Sequence, residues 1–372
     1  MKQVLYALFA LFCNLSRLLF PVKESRAAFL SMHNEEMRDS LGAVREAMAQ
    51  EGFETVTLTR RDLSPRRPLG VLRFFFVRAR QLVTAKYVFL NDNFMPLGQI
   101  RFRKETVLIQ LWHAEGAFKK FGFAIDQPSA VRAREQAGNA KLTYVVCSSK
   151  AVVPIYAEAF GVREAQVLPL GAPRADRLLL PGAQEQAKAD LLRRYPALQG
   201  KTLVLWAPTF RDDPADNDAL LRQFDAVAFR ETLGEDYALL LRLHPQIHPE
   251  KRRLPGALDL TDYPDVMQLV LACDVLVTDY SSICMTAALL EKKTVFFAFD
   301  LARYRETRDF YFPYESYVPG PVAATFPDLL AAIGAPFDRQ KNERFCAFNF
   351  DFRDCGSTAR VLDAVVKNRK NN

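Results

Sequence analysis

Four short segments of the chain place histidine, arginine, lysine or serine directly after an apolar run. In the first segment, Trp112 and His113 are followed by Glu115 and Lys119. A histidine with its ordinary pKa titrates near neutral pH and can act as a general base, and the lysine can face a phosphate. The alternative is a structural histidine beside solvated charges.

The second segment contains Thr209, Arg211 and Asp212. A guanidinium can bind a phosphate through two parallel hydrogen bonds, and Asp212 can orient the arginine, a sugar or a metal ion. An ordinary polar loop with an Arg–Asp pair would have the same residues.

The third and fourth segments contain Arg242 and His244, and the pair Ser281 and Ser282. Residues two apart on a strand face the same side, so Arg242 and His244 together can neutralise a diphosphate. The two serines open a predicted helix, whose first amides can bind phosphate. The alternative for the serines is that one of them only caps the helix. The alternative for His244 is a structural histidine whose hydrogen bonds are satisfied at the end of a strand.

Alternating strands and helices must position these segments. Helix-like stretches cover residues 34–50, 68–84 and 283–290, between apolar runs. We predict strands at residues 27–32, 54–58, 86–90, 106–112, 142–147, 166–170, 202–207, 237–243, 258–261, 274–278 and 294–299. Several of these runs are almost continuously apolar, as in parallel strands that are covered on both faces.

Glycine and proline at residues 171–176 mark a boundary between two such βα arrays. We therefore predict an α/β protein with two doubly wound, Rossmann-like domains, residues 23–173 and 174–372, and a cleft between them. In such sheets ligands lie beyond the carboxyl ends of the strands, where the four segments fall.

Residues 1–22 form a separate N-terminal segment. The apolar run from Val4 to Cys13 is too short to cross a bilayer. Residues 3, 7, 10, 14 and 17 share one helix face, and residues 5, 9, 12, 15 and 19 share the other. This pattern favours an amphipathic helix at a membrane surface. A helix that packs on its own protein and a signal peptide are the alternatives.

Composition excludes several classes of protein. The 372 residues are 49% hydrophobic and carry a net charge of +7, which excludes disordered, collagen-like and polytopic membrane chains. The charge suits an anionic partner such as a phosphate, a nucleotide or an acidic membrane. No P-loop or GxGxxG motif is present. Cysteine and histidine spacing predicts no metal site.

The joint pattern resembles the CDP-glycerol glycerophosphotransferases of teichoic acid synthesis. The resemblance rests on Leu111-Trp112-His113, Gly171-x-Pro173-Arg174-x-Asp176, Ala207-Pro208-Thr209-Phe210-Arg211-Asp212, Arg242-x-His244, Thr278-Asp279-Tyr280-Ser281-Ser282, Asp300-Leu301-x-x-Tyr304-Arg305, Phe310-Tyr311-Phe312 and Pro319-Gly320-Pro321. It implies a GT-B type fold. It also implies transfer of a polyol phosphate from CDP-glycerol or CDP-ribitol to a lipid-linked acceptor, with release of CMP.

The resemblance also implies roles for individual residues. His113 corresponds to the base that deprotonates the acceptor, and Asp279 to a residue that braces its turn. The donor diphosphate contacts would come from Arg211, His244 and the two serines. With them we group Thr209 and Arg242 as nucleotide-binding residues and His244 as a second catalytic residue. Glu115, Lys119 and Asp212 are grouped as supporting residues.

For partners, the resemblance implies an undecaprenyl-diphosphate-linked saccharide as acceptor, an anionic membrane surface and no nucleic acid. No cofactor is obligatory, although Mg²⁺ could assist. The protein would then be peripheral, on the cytoplasmic face of a bacterial membrane. The oligomeric state is not predicted.

Glu115 is one departure from the family pattern, since polymerising members often have a small hydroxyl residue there. It either tunes the histidine or alters the acceptor. The chain is short, like the primase type that adds one unit, and we predict glycerol phosphate transfer in that priming step. Rival functions are CDP-ribitol transfer or polymerisation, a GT-B glycosyltransferase that uses a nucleotide sugar, and a non-catalytic membrane-surface protein.

Overall fold

The computed structural model describes residues 2–32, 39–59, 62, 68–211, 214–244 and 254–367. The strands are β1 Lys23–Ser31, β2 Glu54–Thr59, β3 Ala85–Leu90, β4 Val107–Gln110, β5 Tyr144–Cys147, β6 Val167–Pro169, β7 Thr202–Trp206, β8 Tyr237–Leu241, β9 Leu258–Asp259, β10 Val275–Thr278, β11 Lys293–Phe297 and β12 Val322–Ala323. They form two six-stranded sheets, and every strand pair in them is parallel. Parallel strands need crossover connections, which the helices supply.

The α-helices precede or follow these strands along the chain. They are α1 Lys2–Leu19, α2 Asp39–Gln50, α3 Pro68–Arg73, α4 Ala79–Val83, α5 Ser129–Asn139, α6 Val153–Phe160, α7 Ala183–Arg194, α8 Pro214–Arg222, α9 Ala226–Leu233, α10 Val266–Ala272, α11 Ile283–Leu289, α12 Leu301–Thr307, α13 Tyr314–Tyr317, α14 Phe326–Gly334, α15 Arg339–Asn349 and α16 Ser357–Leu362. A π-helical turn, Phe74–Arg78, joins α3 to α4. The predicted helix at 34–50 starts at Asp39 among the described residues.

The second sheet is buried on both faces. Along β7, Leu203 and Leu205 enter the core on one side, and Val204 and Trp206 enter a separate core on the other. Side chains alternate between the faces of a strand, so a continuous apolar run such as β7 satisfies both cores at once. The strand order is β12-β11-β10-β7-β8-β9, the order of a dinucleotide-binding domain, with its topological switch point between β7 and β10.

The first sheet has the order β2-β1-β3-β4-β5-β6. Its switch point lies between β1 and β3. Ala27 and Phe29 of β1 pack with Tyr87 and Phe89 of β3, and the Phe29 and Phe89 rings stack with centroids 5.1 Å apart. The apolar alternation of these strands therefore builds the core that supports the loops after β3 and β4.

The C-terminal segment belongs to the first unit. Contacts divide the chain into residues 1–176 with 349–372, and residues 177–348. Asp176 accepts hydrogen bonds from the backbone N–H groups of Ser357 (3.0 Å) and Thr358 (2.7 Å) at the start of α16. The observed division therefore lies close to the predicted boundary at 173. It differs from the prediction in that the described C-terminal residues 349–367 belong to the first unit, where Val361, Leu362 and Val365 pack in the core of the first sheet.

Helix α1 packs on the first unit and leaves an apolar face uncovered. Phe9, Ala10 and Cys13 are buried, and the Phe9 ring stacks on Phe74 at 4.2 Å. Asn14 lies on the same inward side. Its side chain donates to the Gln99 carbonyl and accepts from the Arg101 N–H. The face predicted to be polar thus lies partly against the protein.

None of the helices in the described residues is long and apolar enough to cross a membrane.

Candidate active site

His113 lies in a tight turn after β4. Trp112 has a left-handed backbone (φ 57°), as does Gly116 (φ 59°). Such a conformation costs a non-glycine residue about 1–3 kcal/mol, and residues strained in this way cluster at functional sites. The Trp112 N–H donates to the Gln110 side chain at 3.0 Å, which holds the turn. The strained turn carries the imidazole into an exposed position.

The imidazole of His113 is oriented by the backbone of β3. Its Nδ1 atom lies 3.0 Å from the carbonyl oxygen of Asn91, the residue that follows β3. A carbonyl oxygen only accepts, so Nδ1 carries the hydrogen and donates it. In the neutral ring Nε2 then holds the free lone pair. The ring also packs on Trp112, with centroids 4.0 Å apart, so a basic nitrogen is presented in a defined orientation.

The rest of the turn, which we call the His113 loop (residues 111–121), is held by hydrogen bonds. The N–H of Gly116 donates to Ser148 Oγ at 2.9 Å, and the N–H of Ala117 donates to Asn349 Oδ1 at 2.9 Å. The Ala114 carbonyl accepts from the Tyr156 hydroxyl at 3.0 Å. Lys119 lies half-buried in the same loop. The loop is therefore a fixed part of the first unit.

Glu115 is buried rather than solvated. Its Oε1 atom lies 3.2 Å from Nε of Arg174, and its side chain is 4% exposed. Burial raises the pKa of Glu115, while the charges of Arg174 and His113 act in the opposite direction. A buried carboxylate is stable only with such a partner. The departure from the family pattern is thus accommodated by an ion pair between the loop and Arg174.

Arg211 is the centre of the second cluster, which lies in the second unit. Its guanidinium donates to Asp279 Oδ2 at 2.8 Å and to both carboxylate oxygens of Asp300 at 3.0 and 3.1 Å. It also donates to the Thr209 carbonyl at 2.6 Å. Burial alone would lower the pKa of Arg211, but the two carboxylates outweigh it and raise the pKa. Arg211 therefore remains a cation that joins the loops after β7, β10 and β11.

Asp279 ties the same loops together through the backbone. Its Oδ1 atom accepts from the N–H of Thr209 (2.7 Å) and from its own neighbour Tyr280 (2.6 Å). The Tyr280 hydroxyl donates to Asp300 at 2.8 Å. Burial, followed by the charge of Asp300, raises the pKa of this tyrosine, so it stays a protonated donor. These contacts brace the turn after β10.

Ser281 and Ser282 follow this brace and are half-buried at the start of α11. Ser281 Oγ accepts from the N–H of Ile283 at 3.3 Å, whereas Ser282, the N-cap residue, makes no capping hydrogen bond with its side chain. The Thr209 hydroxyl is buried and has no hydrogen-bond partner among the described residues. Thr209 and the two serines therefore lie beside the switch point between β7 and β10, where nucleotide ligands sit in such sheets.

Arg242 and His244 lie just beyond the end of β8. Arg242 donates through Nη1 to the carbonyls of Leu243 (2.9 Å) and Thr261. The exposed ring of His244 packs against Phe210, with centroids 5.1 Å apart. Burial and the charge of Arg242 lower the pKa of His244. At neutral pH the uncharged form of His244 is therefore favoured.

The structure thus brings together two groups of predicted residues, one in each unit. His113, Glu115 and Lys119 share one loop, and Thr209, Arg211 and Asp279 contact each other directly. Asp212 lies outside the described residues. Sequence reasoning did not assign roles to Asn91, Arg174, Asp300 or Tyr280. Three of these four residues stood in the motifs quoted for the resemblance. Asn91 stood in none of them; its sequence predicts only a turn at the end of β3, and it acts through its backbone carbonyl.

Two domains, each built on a parallel sheet with polar loops at the carboxyl ends of its strands, define the GT-B class of α/β proteins. The chain belongs to the CDP-glycerol:poly(glycerophosphate) glycerophosphotransferase family, whose model matches residues 11–367. This confirms the family predicted from the sequence, and the two parallel sheets confirm the predicted fold class.

Two curated relatives and one solved structure illustrate the similarity. The chain is 32% identical to the teichoic acid ribitol-phosphate primase of Bacillus spizizenii, over 98% of this chain and 97% of that protein. It is 31% identical to the teichoic acid poly(ribitol-phosphate) polymerase of the same species, over 94% of this chain but only 57% of that protein. A structure of the wall teichoic acid polymerase TagF, 22% identical, has the same fold (TM-score 0.77, 98% of this chain and 94% of that chain).

These comparisons establish an enzyme of the teichoic acid phosphotransferase family.

Proposed function

We propose that this enzyme transfers one polyol phosphate from a CDP-polyol to a hydroxyl group of a lipid-linked acceptor. The acceptor oxygen attacks the phosphorus that is bonded to the polyol, and the bond from that phosphorus to the bridging oxygen breaks. CMP leaves with the bridging oxygen, and the acceptor proton goes to Nε2 of His113. Such a reaction depends mainly on positioning and on charge stabilisation.

The hydrogen bond from His113 Nδ1 to the Asn91 carbonyl is the observation that carries this proposal. It leaves Nε2 as the basic nitrogen of an exposed imidazole at the end of a parallel strand. General bases must have a free lone pair and a fixed orientation, and they contribute about 10²–10⁴-fold to rate. We therefore assign activation of the acceptor to the first unit.

We assign donor binding to the second unit. Arg242 and His244 supply positive charge beyond β8, and Thr209, Ser281 and Ser282 supply hydroxyl groups beside the switch point. A diphosphate that approaches His244 favours its protonated form, which stabilises the bound anion. Arg211 holds the loops that carry these groups, and its direct contact with the donor stays a prediction.

The identity of the polyol and the number of units are inferred from the relatives. The match to the ribitol-phosphate primase runs end to end, whereas the chain spans little more than half of the polymerase. We therefore propose a priming reaction and place CDP-ribitol first among the donors. CDP-glycerol, the donor predicted from the sequence, is the second candidate. The description of the family and a TagF structure soaked with CDPG support it.

The first experiment incubates the protein with CDP-ribitol or CDP-glycerol, labelled at the phosphorus next to the polyol, and a lipid-diphosphate saccharide acceptor. We expect CMP release and a labelled acceptor heavier by one polyol phosphate. Parallel reactions with EDTA and with Mg²⁺ test whether a metal assists. Intact CDP-polyol, together with release of a nucleoside diphosphate from a nucleotide sugar, would indicate a glycosyltransferase. An acceptor with many added units would indicate a polymerase.

We further propose that the protein binds the membrane through the outer face of α1. Five exposed apolar side chains recur there at steps of four and three, namely Val4, Leu8, Leu11, Leu15 and Leu18. This spacing places them on one side of the helix. Monomeric soluble proteins rarely expose apolar stripes of this length, which mark interaction surfaces.

The neighbouring π-helical turn extends this apolar surface. Phe76 and Val77 are exposed, and the Phe76 ring lies 4.8 Å from that of Phe12 in α1. Arg73 and Arg80, on the same helical segment, are exposed as well. Apolar side chains beside arginines match the chemistry of an anionic lipid surface. An acceptor that is linked to a lipid would be reached from such a surface.

Replacing Leu8, Leu11 and Leu15 with serine should reduce the binding of phosphatidylglycerol vesicles at least about tenfold, since each buried leucine contributes roughly 1.5–3 kcal/mol. Vesicle co-sedimentation measures this. The control replaces three exposed apolar residues elsewhere, Val131, Leu180 and Val227, with serine. Unchanged sedimentation of the α1 variant would remove this face as the anchor.

A further inference from the structure

Arg174 connects the His113 loop to the start of α2 in the first unit. Its Nη1 donates to the backbone carbonyl of His113 at 2.6 Å, and its Nε lies 3.2 Å from Glu115 Oε1. Its backbone N–H donates to Ser40 Oγ at 3.2 Å, and its Nη2 lies 3.8 Å from Asp39 Oδ1. The guanidinium of Arg174 therefore contacts both the main chain of His113 and the side chain of Glu115.

The imidazole is thus held from two sides. The Asn91 carbonyl holds the ring, and Arg174 holds the main chain from which the ring projects. If the main chain moves, the hydrogen bond from Nδ1 to Asn91 lengthens and Nε2 changes direction. A displacement of about 1 Å at a reacting group can cost 10²-fold in rate.

We propose that Arg174 is a positioning residue for His113, and that the buried Glu115 carboxylate orients Arg174 for this task. The proposal rests on the proposed role of His113 as the base. Arg174 is 15% exposed, and its fork contacts the loop in two directions. A lysine has the same charge but lacks the planar fork that makes these contacts together.

Arg174→Lys should therefore lower kcat about 10- to 100-fold and leave the KM for the CDP-polyol unchanged. The matched control is Arg177→Lys, which alters an exposed ion pair with Asp265 and should leave kcat unchanged. A raised KM for donor or acceptor with normal kcat would overturn the proposal, because Arg174 would then be a substrate-binding residue.

A double-mutant cycle separates positioning from general structural support. In the His113→Ala background there is no imidazole to position, so Arg174→Lys should change the residual rate of CMP release by less than about twofold. Equal losses in both backgrounds would overturn the proposal. Full activity of His113→Ala would instead overturn the proposed function, so the two failures are distinguishable.

Glu115→Gln provides a second variant if Arg174→Lys does not fold. It keeps the shape of the side chain and removes the charge that Arg174 faces. We expect a smaller fall in kcat of about 3- to 10-fold, an unchanged donor KM and the same loss of effect in the His113→Ala background. A normal kcat for Glu115→Gln would show that the ion pair does not orient the loop.

Discussion

His113→Ala should lower kcat about 10²–10⁴-fold, the range that a positioned general base contributes. Binding of the CDP-polyol should change little, because the donor contacts are assigned to the second unit. The His113 side chain is exposed, and it contacts the Asn91 carbonyl and the Trp112 ring beside it, so its removal should leave the fold intact. Single-turnover CMP release and donor binding by calorimetry measure the two quantities separately.

A second substitution at this position tests the tautomer assignment. Asparagine can still donate to the Asn91 carbonyl, but it has no basic nitrogen, so His113→Asn should be as slow as the alanine variant. Substantial activity of His113→Asn would mean that the hydrogen bond to the Asn91 carbonyl, and not a basic nitrogen, is required for the reaction. Equal losses in donor binding and turnover for both variants would place His113 at the donor instead.

The sheets could be predicted from the sequence because their cores impose a simple pattern. Each predicted strand overlaps an observed one, since buried parallel strands read as continuous apolar runs. β12, the two-residue strand Val322–Ala323, was missed, although the equally short β9 was predicted. The helical periodicity of α1 was also evident from the sequence. Which face of α1 packs against the protein was not. The partners of Asn14 are backbone groups in a loop 85 and 87 residues away.

The residue types of the candidate site could be predicted from the sequence, but only some of the contacts between these residues could. Histidines and arginines that follow strands were visible in the sequence. The partners of Arg211 were not, since Asp279 and Asp300 lie 68 and 89 residues further along the chain. The return of the C-terminal segment to the first unit was invisible for the same reason. Its contacts include Asp176, which accepts from two N–H groups more than 180 residues away, and the apolar core of the first sheet.

The buried ion pairs of Arg211 should make this residue a determinant of stability as well as of the donor site. In Arg211→Met the guanidinium is lost, and Asp279, whose side chain is 1% exposed, is left buried without its cation. Breaking a buried ion pair in this way costs about 3–5 kcal/mol. We expect a fall of roughly 10 °C in the unfolding midpoint, measured by calorimetry.

The matched control is Arg305→Met, which removes an ion pair with Glu315 in which both side chains are largely exposed. Exposed pairs contribute about 0–1 kcal/mol, so its midpoint should barely change. Adding Asp279→Asn to Arg211→Met removes the orphaned charge and keeps an acceptor for the Thr209 N–H, so it should restore part of the lost stability. If Arg211→Met instead kept its midpoint and lost CDP-polyol binding, Arg211 would be a donor contact, as the sequence predicted, rather than a brace.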